Sequence, residues 1–329
     1  MLIKNKEEQE ISRANVDTPR WIIKKLQNGE HVDQNVLDIV DRIRLKPKGP
    51  LEVGACDLDE LLKGCERKVD IKISLSGEDC KEHYPRFFSG VGLIRSEYLI
   101  RKQMMWITAP EIQEIEKKYI ENILTVFSGK EVWYRTIEVP TSWVNVLDGC
   151  DHVINERNDT VIGLRGIRRS LAFPETFMIE VSMLADLSRK YNNLNIIFPF
   201  VHDVSELKKA KEYLKYTGFN GKVGIMAEIP STVLCLDEFL DEGVSKVVVG
   251  LNDLTSLTLG SKRSLSIYRN THRAVVKLME MAREKTSKYG VNIVLAGKHN
   301  PESIANADKL GFDAVTIFVP DIPFALKKD

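Results

Sequence analysis

The chain has 329 residues, with 47 Lys and Arg against 47 Asp and Glu, and 43% of its residues are hydrophobic. This is ordinary globular composition, so disordered, collagen-like and low-complexity architectures are excluded. Zero formal net charge leaves no basic surplus to drive nucleic-acid binding, and the length fits one α/β barrel carrying an appendage.

Residues 1–68 are charged and helix-patterned, with an Asp17-Thr18-Pro19 start before WIIKKLQNG and a second apolar spacing in VLDIVDRIRL that KPKGP ends. From residue 69 short apolar runs alternate with longer amphipathic segments. Strands are predicted at VDIKISL (69–75), GVGLI (90–94), EVWYRTIEV (131–139), LNIIFPFV (194–201), KVGIMAEI (222–229), KVVVGL (246–251), NIVLA (292–296) and DAVTIFV (313–319). Between them, helices are predicted in APEIQEIEKKYIENILTVFSG, stopped by Gly129, and in DVSELKKAKEYLKYTG, capped by Asp203 and closed by Gly218. A further one lies in NPESIANADKLG, opened by Asn300-Pro301 and closed by Gly311. Eight strands, each followed by helix or long loop, fit a (β/α)8 TIM barrel, an α/β fold, over 69–329 with an N-terminal helical extension over 1–68. A doubly wound open sheet fits the same alternation.

The cysteines, Cys56, Cys65, Cys80, Cys150 and Cys235, are odd in number and lack zinc-type spacing, which reads as reduced thiols in a cytosolic protein. The opening MLIKNKEEQEISR has no signal-peptide core, and no run approaches the ~20 apolar residues of a membrane span. The Asn158-Asp159-Thr160 glycosylation triplet is therefore read as incidental.

A barrel builds its active site at the carboxyl ends of its strands. There the sequence places Arg95 after GVGLI, Arg135 and Glu138 in WYRTIE, His202 after FPFV, Glu228 after GIMA, and Asn252-Asp253 after VVVGL. One charged residue after a strand is usually the first solvated position of a loop, but their joint occurrence points to a site. Glu228 and Asp253 end neighbouring predicted strands and set two hard oxygen ligands side by side, which suits Mg2+ or Mn2+. A Glu and an Asp paired with nearby Arg or Lys is the alternative reading, with equal weight. Arg95, Arg135 and Arg263 supply guanidinium forks for phosphate or carboxylate.

These residues carry a resemblance. GVGLIRSEYLI resembles the G-x-G-L-x-R-x-E-F motif of the phosphoenolpyruvate-binding barrel found in pyruvate phosphate dikinase, phosphoenolpyruvate synthase and enzyme I of the sugar phosphotransferase system. WYRTIEV is similar to the family's R-T-x-D strand, IGLRGIR to its L-G-x-R-x-x-R segment and IIFPFVHDVSEL to its M-F-P strand. GIMAEIPS and VVGLNDLTSLTLGSKR follow in the family's order, resembling G-x-M-x-E-x-P and I-G-T-N-D-L-T-Q-x-x-L-x-x-x-R. The resemblance implies that Arg95, Arg135 and Arg263 contact a phosphoryl group, that Asn252 donates to phosphate or carboxylate, and that Arg165 supports them. It implies Glu228 and Asp253 as ligands of Mg2+ or Mn2+, and a phosphoryl donor histidine on a swivelling domain. No ATP-grasp module or phosphohistidine domain is recognisable, so both are expected on separate subunits, and the family's habit implies a homodimer.

The departures are specific. VLAGKHN puts Ala296 where the family has the cysteine that exchanges protons with the enolpyruvate methylene, Lys298 replaces a glutamate, and Leu251 replaces a threonine. The expected function is the acceptor-binding subunit of a split phosphotransferase whose acceptor is an alcohol or enol oxygen other than that of pyruvate. The alternatives are a metal-dependent lyase or aldolase of 2-oxo acids and a non-catalytic phosphoenolpyruvate-binding subunit. His299 is expected as a base near neutral pH and Lys298 as a phosphate contact, against a reading of both as solvated loop.

Overall fold

The computed structural model describes residues 18–44, 58–60, 69–150 and 163–326. The expectations at Asp17, KPKGP, Cys56, Cys65 and the Asn158 triplet lie outside those residues.

Strands β1 (Asp70–Leu75), β2 (Val91–Arg95), β3 (Val132–Arg135), β4 (Leu194–Phe198), β5 (Val223–Met226), β6 (Lys246–Gly250), β7 (Asn292–Ala296) and β8 (Ala314–Phe318) close into one barrel in sequence order. Every neighbouring pair is parallel, β8 returning to β1, so the open-sheet alternative falls away. The ring of helices comprises α3 (Glu97–Gln103), α4 (Pro110–Val126), α5 (Ile167–Ala172), α6 (Pro174–Lys190), α7 (Val204–Thr217), α8 (Pro230–Leu234), α9 (Leu236–Asp241), α10 (Leu251–Leu259), α11 (Arg273–Tyr289) and α12 (Pro301–Leu310). Helices α1 (Arg20–Gln27) and α2 (Gln34–Ile43) precede the barrel among the described residues.

The strands are apolar on both faces because both are covered. Leu93, Trp133, Ile197, Met226, Val248, Val294, Ala296 and Ala314 fill the barrel interior. The alternate residues, such as Ile73, Tyr134, Ile196, Val247 and Ile293, face the helices in the main core. Gly92 is required by close approach: a Cβ there would stand 2.0 Å from Thr316 Oγ1, and the register of β2 shifts around it.

The extension packs on a second core beside the barrel, where Ile22, Val40 and Ile43 meet Leu99, Ile100, Trp106, Ile112 and Val144. Each such side chain taken out of water contributes about 1.5–3 kcal/mol. Asp148 anchors α1 by accepting the backbone N–H of Arg20 at 2.8 Å, and Trp21 Nε1 donates to the Val146 carbonyl at 3.0 Å. The extension thus braces α3 and the segment after β3, which together carry part of the rim. Among the described residues no helix is long and apolar enough to cross a membrane, and Cys80 and Cys235 are free thiols.

Candidate active site

Register brings the arginines together. Arg95 and Arg135 are the last residues of β2 and β3 and lie opposite each other in the ladder. Arg95 Nε donates to Ser76 Oγ at 2.8 Å, and its guanidinium stacks 4.8 Å from the Tyr98 ring and 5.2 Å from that of Phe318. Its terminal nitrogens find no acceptor among the described residues. Arg135 is buried and pairs with Glu97 and, at 3.3 Å, with Glu138. Burial disfavours its charge, but Glu97 and Glu138 outweigh that and hold it protonated. Glu138 also accepts Arg165 Nε at 2.7 Å, so one carboxylate bridges two guanidinium groups. Behind this pair the Tyr134 hydroxyl contacts Ser96 Oγ at 2.6 Å and donates to Glu180 at 3.1 Å, while Glu180 accepts the Ile137 N–H at 2.7 Å. These bonds fix the backbone that carries Arg135 and Glu138.

The acidic side is built on β5 and β6. Glu228 is 1% exposed, and its Oε1 accepts the Phe200 N–H at 2.8 Å. Phe200 has φ 54°, a left-handed conformation that costs a bulky residue about 1–3 kcal/mol. That turn aims its amide at Glu228 while the ring lies 4.3 Å under the Arg165 guanidinium. Gly166 accommodates it, since a Cβ there would stand 2.7 Å from the Pro199 carbonyl. The other Glu228 oxygen packs on Gly250, where a Cβ would approach Oε2 to 2.5 Å. Asp253, in the first turn of α10, accepts Arg263 at 2.8 Å. Burial, then the facing Asp253 charge, pushes the Glu228 carboxyl up to about 8. A divalent cation between the two carboxylates would relieve that repulsion, and the hard oxygen donors fit Mg2+ or Mn2+. Among the described residues no group of three or more His, Cys, Asp or Glu converges, so these two would leave most of a coordination shell to substrate and water.

Asn252 Oδ1 accepts the Lys298 N–H at 3.2 Å and lies 3.4 Å from the Tyr268 hydroxyl, which leaves its amide nitrogen without an acceptor among the described residues. The Lys298 side chain is exposed, and Arg263 is half-exposed on the loop after α10. Ala296 ends β7 inside the barrel, whereas Leu251 packs into the outer core. His299 is not the near-neutral base that the sequence suggests. It is 4% exposed, its Nε2 lies 2.9 Å from the Thr316 carbonyl, and burial pushes its pKa down to about 4. It is a neutral buried residue, and its pKa does not suit a base near neutrality. Sequence reading also passed over Glu97 and Phe200. The R-x-E spacing of Arg95 and Glu97 was a signal for the first, but nothing in the sequence marks the backbone of the second.

A (β/α)8 barrel whose rim sets arginine forks opposite a buried Glu228 and a half-buried Asp253 has the make-up of a site for a small, multiply charged oxyanion. The particular family is given by sequence: the profile of PEP-utilising enzyme, PEP-binding domain, matches residues 58–328, and the chain belongs to that family. It is 31% identical over 245 residues to a probable phosphoenolpyruvate synthase of Pyrococcus abyssi, covering 69% of this chain and 30% of that one. For the Archaeoglobus fulgidus protein of that description the figures are 31% over 267 residues, 75% and 35%. An Escherichia coli protein described as phosphoenolpyruvate-dependent phosphotransferase system is 29% identical over 281 residues, 78% of this chain and 35% of that one. The chain spans about a third of the length of these relatives. Among solved structures, an aldolase/citrate lyase family protein from Burkholderia cenocepacia superposes with TM-score 0.48 and 14% identity over 80% of this chain and 93% of that one.

Proposed function

We propose that this barrel binds the acceptor in a Mg2+- or Mn2+-dependent phosphotransfer of the phosphoenolpyruvate synthase type, with the phosphohistidine donor on a partner subunit. In that reaction the P–N bond of the donor breaks as a P–O bond to the acceptor oxygen forms, and the acceptor gives up its proton. Arg95, Arg135 and Arg263 hold the phosphoryl group, since charge spread over its equatorial oxygens needs several fixed donors. Arg165 supports them through Glu138, Asn252 offers its amide nitrogen, and Lys298 adds a cation at the rim. Glu228 and Asp253 hold the cation, which when bound neutralises charge on the substrate oxygens. Ala296 presents only a methyl group where carbon acid/base chemistry would need a proton carrier, which favours an alcohol or enol oxygen other than that of pyruvate as acceptor.

The observation that carries this reading is the convergence of Arg95, Arg135 and Arg165 on one rim with the Glu228–Asp253 pair. The test is a titration of Mn2+ and phosphoenolpyruvate. Asp253→Ala should lose metal-dependent ligand binding by about a hundredfold or more, and unchanged Mn2+ affinity would overturn the assignment. In D2O with Mg2+, the parent should leave the pyruvate methyl unexchanged while Ala296→Cys gains exchange. Rapid exchange by the parent would sink the oxygen-acceptor reading.

A further inference from the structure

The opposite end of the barrel gathers cations that no step at the rim uses. Glu131, just before β3, accepts Lys246 Nζ at 2.8 Å, Lys222 Nζ at 2.9 Å and the indole N–H of Trp133 at 3.2 Å. Its carboxyl is buried enough to lose charge, yet the two lysines outweigh that and hold it down at about 2. Lys246 is 2% exposed, with its ammonium 4.3 Å from the centre of the Trp133 ring. Lys72 enters the same floor from β1. It is half-buried, and among the described residues its ammonium has neither a hydrogen bond nor an ion pair. Gly90 leaves room beside it: a Cβ there would stand 3.4 Å from Lys72 Nζ.

The charges do not balance locally. Lys72, Lys222 and Lys246 surround one carboxylate already shared by two of them, and Lys130, whose Nζ is spent on the Pro85 and Phe88 carbonyls, adds to the repulsion at Lys72. Asp70 is the other acid acting on Lys72, and it is exposed. Burial and then the Lys72 charge weaken the hold of Lys246 on its proton, and burial with the Lys130 charge weakens that of Lys72. A desolvated cation that lacks a partner is costly unless an anion completes it. We propose that this amino-terminal floor is a second anion site, in which Lys72 and Lys222 bind a small phosphate-class dianion with Lys246 behind them. The ligand class is inorganic phosphate or the phosphate of a small phosphomonoester. Lysines act as point charges and impose no fork geometry, so both sources share one recognition chemistry.

The test uses the full chain, inorganic phosphate as probe and chloride at matched ionic strength as control. Lysine acetylation followed by mass spectrometry should show Lys72 and Lys222 protected by phosphate but not by chloride, with exposed Lys25 unaffected. Calorimetry should show phosphate affinity at the floor falling about tenfold or more in Lys72→Met, while Arg95→Ala with Arg263→Ala leaves it in place. Lys72→Gln serves if the Met variant does not fold. Glycerol phosphate protecting the same lysines as well as phosphate would assign the site to phosphomonoesters, and its exclusion would assign it to free phosphate. The inference is overturned if phosphate leaves Lys72 acetylation unchanged, or if all phosphate binding disappears with the rim arginines. Loss of phosphate binding only in the Lys72 variants would uphold the floor and count against the rim reading, so the two fail separately.

Discussion

The two ends of this barrel solve the placement of charge in opposite ways. At the carboxyl rim the cations are arginines, and all but Arg95 are tied to acids: Arg135 to Glu97 and Glu138, Arg165 to Glu138, Arg263 to Asp253. At the amino floor they are lysines, three around Glu131. A thin apolar layer separates the ends and touches both, since Trp133 lies against Lys246 and Met226 Sδ is 3.9 Å from Arg135. Guanidinium forks held by fixed carboxylates are preorganised, so a ligand at the rim meets donors that need not reorganise. Ammonium groups at the floor supply charge without direction. Parallel strands of one barrel therefore carry directional donors held by acids at one end and undirected charge at the other.

That contrast predicts unequal costs of losing a cation. Arg135→Met leaves Glu97 buried beside Glu138 without its ion-pair partner, and should destabilise the fold by about 3–5 kcal/mol. Lys222→Ala, at the exposed edge of the floor, leaves Glu131 paired with Lys246 and should cost under ~1 kcal/mol. Urea unfolding at neutral pH measures both. Similar losses for the two variants would remove the distinction between a rigid rim and a loosely held floor.

Acid should expose a second asymmetry. His299 is buried behind the β7 and β8 ends with its pKa lowered to about 4 by desolvation, against an ordinary 6.5. The unfolded chain binds this proton more tightly, so stability is lost as pH falls from about 6.5 through 4, by up to ~3 kcal/mol. His299→Gln, whose amide can still donate to the Thr316 carbonyl, should flatten that part of the pH profile. A parent-like decline in the variant would show that another group carries the acid sensitivity.

Much of the fold was legible because its signals are local. Continuous runs such as LNIIF and KVVVG announce strands covered on both faces, and Asp203 with Gly218 and Asn300 with Gly311 bound their helices as observed caps. Glu228 and Asp253 were legible as a pair because successive strands of a barrel are neighbours. What was not legible depends on direction. His299 follows Lys298 in a loop, yet one side chain turns to the Thr316 carbonyl and the other to solvent, a choice made by packing. The bridge from Arg135 through Glu138 to Arg165 joins segments about thirty residues apart, and the left-handed turn at Phe200 is imposed by Gly166 and Glu228 rather than by its own residue type.

The smallest change at neutral pH is expected at Lys246, the most buried of the floor cations. Lys246→Met retains the stem's packing on Trp133 and removes an ammonium that burial and Lys72 destabilise, while Glu131 keeps Lys222 and the indole N–H. Replacing a buried charge by an apolar group of similar volume is often neutral, so stability at pH 7 should stay within about 1 kcal/mol of the parent. The pH profile should nevertheless differ on the alkaline side. With the folded pKa at about 8 and the ordinary value at 10.5, the unfolded chain holds a proton that the folded chain has released, so the parent gains stability as pH rises through that window. The Met variant has no such proton and should lack that gain. An unaltered alkaline profile would mean that Lys246 keeps its charge in the fold to the ordinary lysine range, and the floor would then hold its three cations without strain.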